Sequence, residues 1–496
     1  MDIIGIFKRN IYLAESLFIS LVFFLPFMMN NLPYNDDYYK SMWGQSHFVE
    51  DGRPVAEFII RVFSLFSTTL NDVSPLTWII SFLVLGTSCY TANKRINGQS
   101  SFMLALSSLF IFCSPNYIDN SMYKYDVLTM SVSLSIAILS ATVFIRSLPS
   151  FLLVLAGNLL YLCTYQLSLS SYIIIAILFF SVRATRDVNI ASSLYDLILK
   201  GLALLSSYVI YALIKPLMDV SKYAAEMGEM VALKHLPEHV FGSVEKYVNL
   251  LISLYDTPSL VSISLSSFLA IAFLVCTTGL VIRNNAGNFI KVASCAILLI
   301  AIPFSLFMTF APLAMLKRQP DTLRMFVGVG SYVYMCMTLS WYLLKEFRYI
   351  KYFIVALMLS PLAYTISITY AVNNAYKSQY DLSNGVSLSV VHSLNNLDVN
   401  SIKEIKYTTS NGPLAYETDR LRNDHPFTKK FIRDGFTAIP HWAGYVYQSK
   451  IKVGEWFNSD QTKEACGGIK IADGVNYDMY KTKDIIYVDM TKSRCK

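Results

Sequence analysis

Two adjacent carboxylates, Asp36 and Asp37, stand directly after the first long apolar run of the chain, Ile11 to Met29. They belong to Asn35-Asp36-Asp37-Tyr38-Tyr39, and Asp51-Gly52-Arg53-Pro54 and Glu57 follow in the same polar stretch. Charge at the mouth of a membrane helix is costly unless it faces a polar cavity, which marks the stretch as a functional site by default. The plainer reading is a solvated loop that only ends the helix. Two close carboxylates do not ionise independently, so one can take a proton while the other binds a hydroxyl or tunes its neighbour. Together with His47 the pair could also hold a hard divalent cation. That reading is not favoured, because no further ligand stands at a fixed spacing.

Other polar residues recur at the same depth. Asp119, Lys124 and Asp126 lie in Tyr117 to Asp126, Gln166 sits in a tight turn, and Lys317, Arg318 and Arg324 precede the tenth apolar run. Arginine offers phosphate a fork of donors, and a carboxylate can take the proton of a sugar hydroxyl. Tyr38, Tyr39 and Trp43 can stack on sugar faces. The set suits transfer of a sugar from a polyprenyl phosphate whose tail runs in an apolar groove between helices. Each residue also has a plainer role: Asp126 as a helix N-cap, Lys124 and Arg324 as interfacial or headgroup anchors, Gln166 as a partner for turn backbone.

The elements that must position these residues are membrane helices. The 496 residues are 54% hydrophobic and 15% charged, against about 25% charged in soluble domains. Long apolar runs recur along 1–372 and amount to about eleven spans. The first lacks a small-residue cleavage site and reads as a retained helix. Lys8 and Arg9 precede it, and every inner connection carries Lys or Arg. The N-terminus is therefore expected in the cytoplasm and the carboxylate pair outside, which in a bacterium is the periplasm. The outer loops are then 30–74, 115–126, 215–258 and 312–325. Val55 to Leu70 reads as a helix lying in the interface, and 215–258 as two amphipathic helices on the outer surface. The net charge of +7 sits mostly in short connections, so it reports topology and anionic lipid rather than nucleic acid.

Residues 373–496 change character, with more Gly, Asn, Asp, Lys and Thr. Ser401 to Thr409 and Asp484 to Met490 alternate like strands, and Val386 to Leu394 and Pro426 to Asp434 look helical. This is a small α/β domain, expected in the periplasm. Six cysteines lie in apolar runs and read as small hydrophobes. Cys466 and Cys495 lie in the tail and would form one disulfide in an oxidising compartment. His235, His239, His392, His425 and His441 are scattered, and no metal site is expected from them.

Asn35-Asp36-Asp37-Tyr38, Asp51-Gly52-Arg53-Pro54 with Glu57, Tyr123-Lys124-Tyr125-Asp126 and Tyr165-Gln166 together resemble the bacterial and phage-borne O-antigen glucosyltransferases that convert serotype, within the polytopic GT-C glycosyltransferases. The resemblance covers most of the membrane region, and in the tail extends only to position and size. It implies a GT-C-like fold and a multi-pass protein of the bacterial inner membrane. The implied donor is undecaprenyl-phosphate glucose, made by a partner synthase and delivered by a partner flippase. The implied acceptor is a sugar of lipid-linked O-antigen, reacting with inversion. No cofactor is expected. It carries the base role to Asp36 or Asp37 without choosing between them. Arg53, Glu57, Lys124, Asp126, Gln166, Arg318 and Arg324 are then candidates to bind donor phosphate and sugar. Alternatives are a GT-C transferase using a mannose, arabinose or aminoarabinose donor, and a transporter without chemistry. A transporter needs polar residues through the midplane, whereas these charges gather on one face.

Overall fold

The computed structural model describes residues 11–98, 101–186, 189–345, 347, 349, 351–395, 397, 401–408, 414–432, 451–456 and 458–495. Lys8, Arg9 and His441 lie outside the described residues. The chain divides into two compact units, Met1–Thr369 and Tyr370–Lys496.

In the first unit every expected apolar run holds a helix. These are Ile11–Asn30, Leu76–Asn97, Phe102–Ser108 with a 3-10 turn Leu109–Ile111, Val127–Ala141, Leu148–Leu162, Ser168–Ala184, Ile190–Ile214, Thr257–Arg283, Asn288–Met308, Gly328–Leu344 and the start of Lys351–Asn395. Among the described residues, 6 helices are long and apolar enough to cross a membrane. Phe102–Ile111, Val127–Ala141, Leu148–Leu162 and Ser168–Ala184 are apolar but shorter than the roughly 20 residues of a span. The protein is thus a mostly helical membrane protein, and the count of eleven spans stays an expectation.

Burial sorts these helices into two sets. Val127–Ala141, Ser168–Ala184 and Gly328–Leu344 are buried around most of their circumference. Some of their serines return the hydroxyl to the backbone one turn earlier, as Ser181 Oγ does to the Ile177 carbonyl and Ser340 Oγ to the Cys336 carbonyl, each at 2.8 Å. Close approach is possible because Gly330 lacks a side chain. A Cβ there would lie 2.2 Å from the Phe110 carbonyl oxygen, and small residues serve this purpose between membrane helices. The three inner helices begin just after Asp126, Gln166 and Arg324.

Outside the spans, Pro54–Phe63 takes the place of the longer interfacial helix expected over Val55 to Leu70. Its end is set by Leu65 and Phe66, both at positive φ. The segment after Ile214 contains Lys222–Met227 and Leu236–Ser253.

In the second unit a five-stranded sheet has the order β2-β1-β5-β4-β3. The strands are β1 Glu404–Tyr407, β2 Lys452–Glu455, β3 Ile469–Asp473, β4 Asp478–Thr482 and β5 Ile485–Asp489. β1 pairs parallel with β2 and β5, and β3–β4–β5 run antiparallel. Alternation along β5 sends Ile486 and Val488 to one face, against Val386, Val390 and Leu394. Tyr487 goes to the other face, with Trp456 and Ala465. The helix expected over Val386 to Leu394 is the end of Lys351–Asn395, whose 45 residues are over twice the roughly 20 of a bilayer span. Of Pro426 to Asp434, Pro426–Lys430 is a 3-10 helix, and 433–434 lie outside the described residues. Cys466 and Cys495 are disulfide-bonded, with Cα atoms 5.1 Å apart.

Candidate active site

The carboxylate pair opens a short helix, Asp36–Trp43. Asn35 before it has φ 44°, and Gly44 after it closes the last turn in the left-handed region, its N–H donating to the Lys40 carbonyl. Acidic residues in the first turn and a lysine in the last suit the helix dipole. Successive residues on a helix point about 100° apart, so the two carboxylates meet different surroundings.

Asp37 points inward and is fully buried. Its Oδ2 accepts the backbone N–H groups of Tyr34 and Lys124, each at 3.0 Å, and its Oδ1 accepts that of Tyr125 at 3.4 Å. One side chain thus ties the 30–74 loop to the 115–126 loop. Burial pushes the Asp37 carboxyl up to about 7, the Asp126 charge adds to the rise, and Lys40 and the two N–H groups of Lys124 and Tyr34 oppose it. Next to it Lys40 pairs with Asp126, both nearly buried, and the ammonium lies 4.6 Å from the centre of the Phe48 ring. Lys124 Nζ pairs with Asp72 Oδ2 at 2.5 Å. The second loop is held from beneath, where Trp78 Nε1 donates to the Ser121 carbonyl at 2.7 Å and Thr77 Oγ1 to that of Lys124 at 2.9 Å.

Asp36 points outward, with 58% of its side chain exposed, and its Oδ2 lies 3.7 Å from Arg324 Nη1. The Arg324 guanidinium lies over the Tyr123 ring at 4.5 Å. Its backbone is fixed from both sides: the N–H donates to Asp119 Oδ2 at 2.9 Å, and the carbonyl accepts Tyr165 OH at 2.8 Å and Asn120 Nδ2 at 3.2 Å. Asp119 also accepts Tyr34 OH at 3.2 Å, so Asp119 joins the first loop to the Arg324 loop.

Arg53 lies over the ring of the same Tyr165, at 5.3 Å. Tyr165 thus touches both arginines, Arg53 through the tyrosine ring and Arg324 through the arginine's backbone carbonyl. The Arg53 Nε is buried without a hydrogen-bond partner, which leaves a donor free for an anionic ligand. Burial raises the neighbouring Asp51 carboxyl, against the pull of Arg53 and with a push from Asp126. Gly52, at φ +74°, makes the turn before Pro54, and Pro54 at the first helical position starts Pro54–Phe63. Gln166 holds that turn, its Nε2 donating to Tyr211 Oη at 2.9 Å and to the Gly52 carbonyl at 3.4 Å.

The structure thus brings together Asp36, Asp37, Arg53, Lys124, Asp126 and Arg324, and places Gln166 as a brace behind Arg53. Two candidates are engaged elsewhere. Glu57 pairs with Arg61 Nε at 2.5 Å and accepts Ser46 Oγ. Arg318 lies 3.6 Å from Glu226 on the surface. Asp126 stands at the N-cap of Val127–Ala141 but makes no side-chain cap bond. His47 pairs with Glu50 at 3.0 Å. Among the described residues no group of three or more His, Cys, Asp or Glu is placed to hold a metal ion. Lys40 and Asp72 were not singled out from sequence. Lys40 had one signal, standing one helical turn after Asp36 and Asp37; Asp72 had none.

The arrangement offers an exposed carboxylate beside a fixed cation, two arginines around one tyrosine, and the starts of three buried helices, whose dipoles favour negative charge. A family model described as Glucosyl transferase GtrII matches residues 25–338. The chain belongs to the GtrII glucosyl transferase family. The match takes in residues 30–74, 115–126 and the Arg324 loop. A relative from Salmonella phage P22, described as an uncharacterized 55.3 kDa protein in the gtrB 5' region, is 21% identical over 428 residues, 85% of this chain and 86% of the relative. No solved structure matches the chain. As a GtrII member the protein is a glycosyltransferase, and glucosyl transfer in O-antigen modification is the activity that membership points to.

Proposed function

We propose that the protein moves glucose from undecaprenyl-phosphate glucose to a sugar of lipid-linked O-antigen, at the periplasmic face of the bacterial inner membrane, with Asp36 as the general base. The observation that carries this reading is the contrast within the carboxylate pair. Asp36 is exposed beside Arg324, whereas Asp37 is sealed by backbone N–H groups and has no access to a substrate.

In the proposed step the acceptor hydroxyl oxygen attacks the glucose anomeric carbon from the face opposite the phosphate. Its proton passes to the Asp36 carboxylate. The bond from the anomeric carbon to the phosphate oxygen breaks, and undecaprenyl phosphate leaves with the electron pair. Inversion follows from the single displacement. Arg324 and Arg53 face the phosphate, where guanidinium groups are worth most in a water-poor site. Bound phosphate takes over the Arg324 guanidinium, which leaves the Asp36 oxygens free to accept the hydroxyl proton. The donor would reach the outer leaflet through the partner synthase and flippase. Lys124 and Asp126 act through the ion pairs that hold the two loops together, and Cys466–Cys495 closes the tail domain.

Membranes containing the full chain, given synthetic undecaprenyl-phosphate glucose and lipid-linked O-antigen, should yield glucosylated O-antigen with the inverted linkage. Failure with this donor alongside transfer from the mannose, arabinose or aminoarabinose counterparts would refute the glucose assignment. Retention of configuration would refute the single displacement.

A further inference from the structure

The loop between Phe310 and Phe326 is mostly irregular, yet it must hold the Arg324 guanidinium within a fraction of an ångström of its place. Asp119, Asn120 and Tyr165 fix Arg324 itself. The earlier part of the loop is held by the segment after Ile214. Met230 and Leu316 form an antiparallel bridge, Val231 N donates to the Met315 carbonyl at 3.0 Å, and Lys317 N to that of Glu229 at 2.8 Å. Further along, the Lys317 ammonium pairs with Glu229 at 3.1 Å, and the His239 ring bonds the Leu316 carbonyl at 3.0 Å.

One side chain of this segment reaches three points of the loop at once. Tyr247, on Leu236–Ser253, is fully buried. Its ring stacks on Phe310 with centroids 5.7 Å apart and meets the edge of Phe326 at 5.5 Å. Phe310 and Phe326 are the two ends of the loop. The Tyr247 hydroxyl donates to the Pro320 carbonyl, near the middle of the loop, at 3.1 Å. We infer that Tyr247 is a positioning residue for glycosyl transfer, setting the place of Arg324 by clamping both ends and the middle of the loop that carries it. The inference rests on the reading of Arg324 as a contact of the donor phosphate.

The test uses the full chain in native membranes, with kcat and KM measured for undecaprenyl-phosphate glucose. Tyr247→Phe keeps the ring and removes only the bond to Pro320. It should raise the donor KM by roughly 2- to 10-fold, the range one ordinary hydrogen bond supports, with the acceptor KM unchanged. Tyr247→Ala also removes the wedge between the two phenylalanines and should raise the donor KM by about 10-fold or more, as small misplacements of positioning groups do. Phe241→Ala, exposed on the same helix, should match the unsubstituted protein. On an Arg324→Ala background Tyr247→Phe should change the donor KM no further. An unchanged donor KM in Tyr247→Phe overturns the proposal, as does an equal rise on the Arg324→Ala background. If Arg324→Ala itself leaves the donor KM unchanged, the phosphate reading falls first, and the inference with it. Should Tyr247→Ala fail to accumulate, Tyr247→Phe decides the question by itself.

Discussion

Asp37 Oδ2 accepts the backbone N–H of Lys124 at 3.0 Å, so a carboxylate of the loop after the first helix sets the path of the 115–126 loop. Asp36, one residue earlier, is left to face outward. The two carboxylates therefore have separable roles.

Substitution should divide them. Asp36→Asn removes the proposed base while keeping shape, and should lower the transfer rate by about 10²- to 10⁴-fold, the usual worth of a general base. Asp37→Asn keeps an acceptor oxygen for Tyr34 and Lys124 and should stay within about 10-fold of the unsubstituted rate, since one ordinary hydrogen bond is at stake. Rates measured in membranes with matched protein levels check this. Full activity in Asp36→Asn removes the base assignment.

Asp37 also predicts a pH dependence of stability. Its carboxyl is raised from 3.8 to about 7 in the folded protein, so the folded form holds this proton where the unfolded chain has released it. The stabilisation is full below about pH 4 and is lost as the pH rises through about 7. Asp37→Asn has no such proton. Thermal unfolding in detergent from pH 5 to 8 should show the unsubstituted protein losing stability relative to Asp37→Asn. Parallel curves would contradict it.

The arginines predict a contrast within one loop. Arg324→Ala should weaken donor binding strongly, by roughly 10-fold or more, because it removes a charge-assisted contact. Arg318→Ala removes an exposed pair with Glu226 of the kind worth about 0–1 kcal/mol, and should leave the donor KM nearly unchanged. Equal effects would show that the loop acts by net charge alone.

Gly330 predicts a packing defect away from the chemistry. Gly330→Ala places a methyl against the Phe110 and Ile111 carbonyls and should cost about 1–3 kcal/mol, as overpacking does. Detergent melting should show a lower midpoint, whereas Gly287→Ala, with open space around it, should not. Equal midpoints would refute the close contact.

Much of this architecture could be read from the chain. The helices were legible because their composition is apolar over long stretches, and Asp36, Asp37, Lys124 and Asp126 stood out as charges beside such stretches. Partner choice was not legible. Lys40 with Asp126, and Asp119 with Tyr34 and Arg324, pair across many residues, and no local period encodes such contacts. Glu57 looked like a site residue by proximity, yet its i,i+4 neighbour Arg61 holds it. In the tail, β1 and β5 announced themselves by alternation, whereas β3, at the sheet edge, has its alternation broken by an irregularity between Lys470 and Ala472.

The ion pair of Asp36 and Arg324 has a consequence for biogenesis. Ribosomes add about 5–20 residues per second, so the roughly 290 residues between the two take about 15–60 s to emerge. Throughout that interval the nascent chain carries a carboxylate awaiting its cation. On the proposed function, a translation product ending before Arg324 lacks the guanidinium set against the donor phosphate, however well its early helices have inserted.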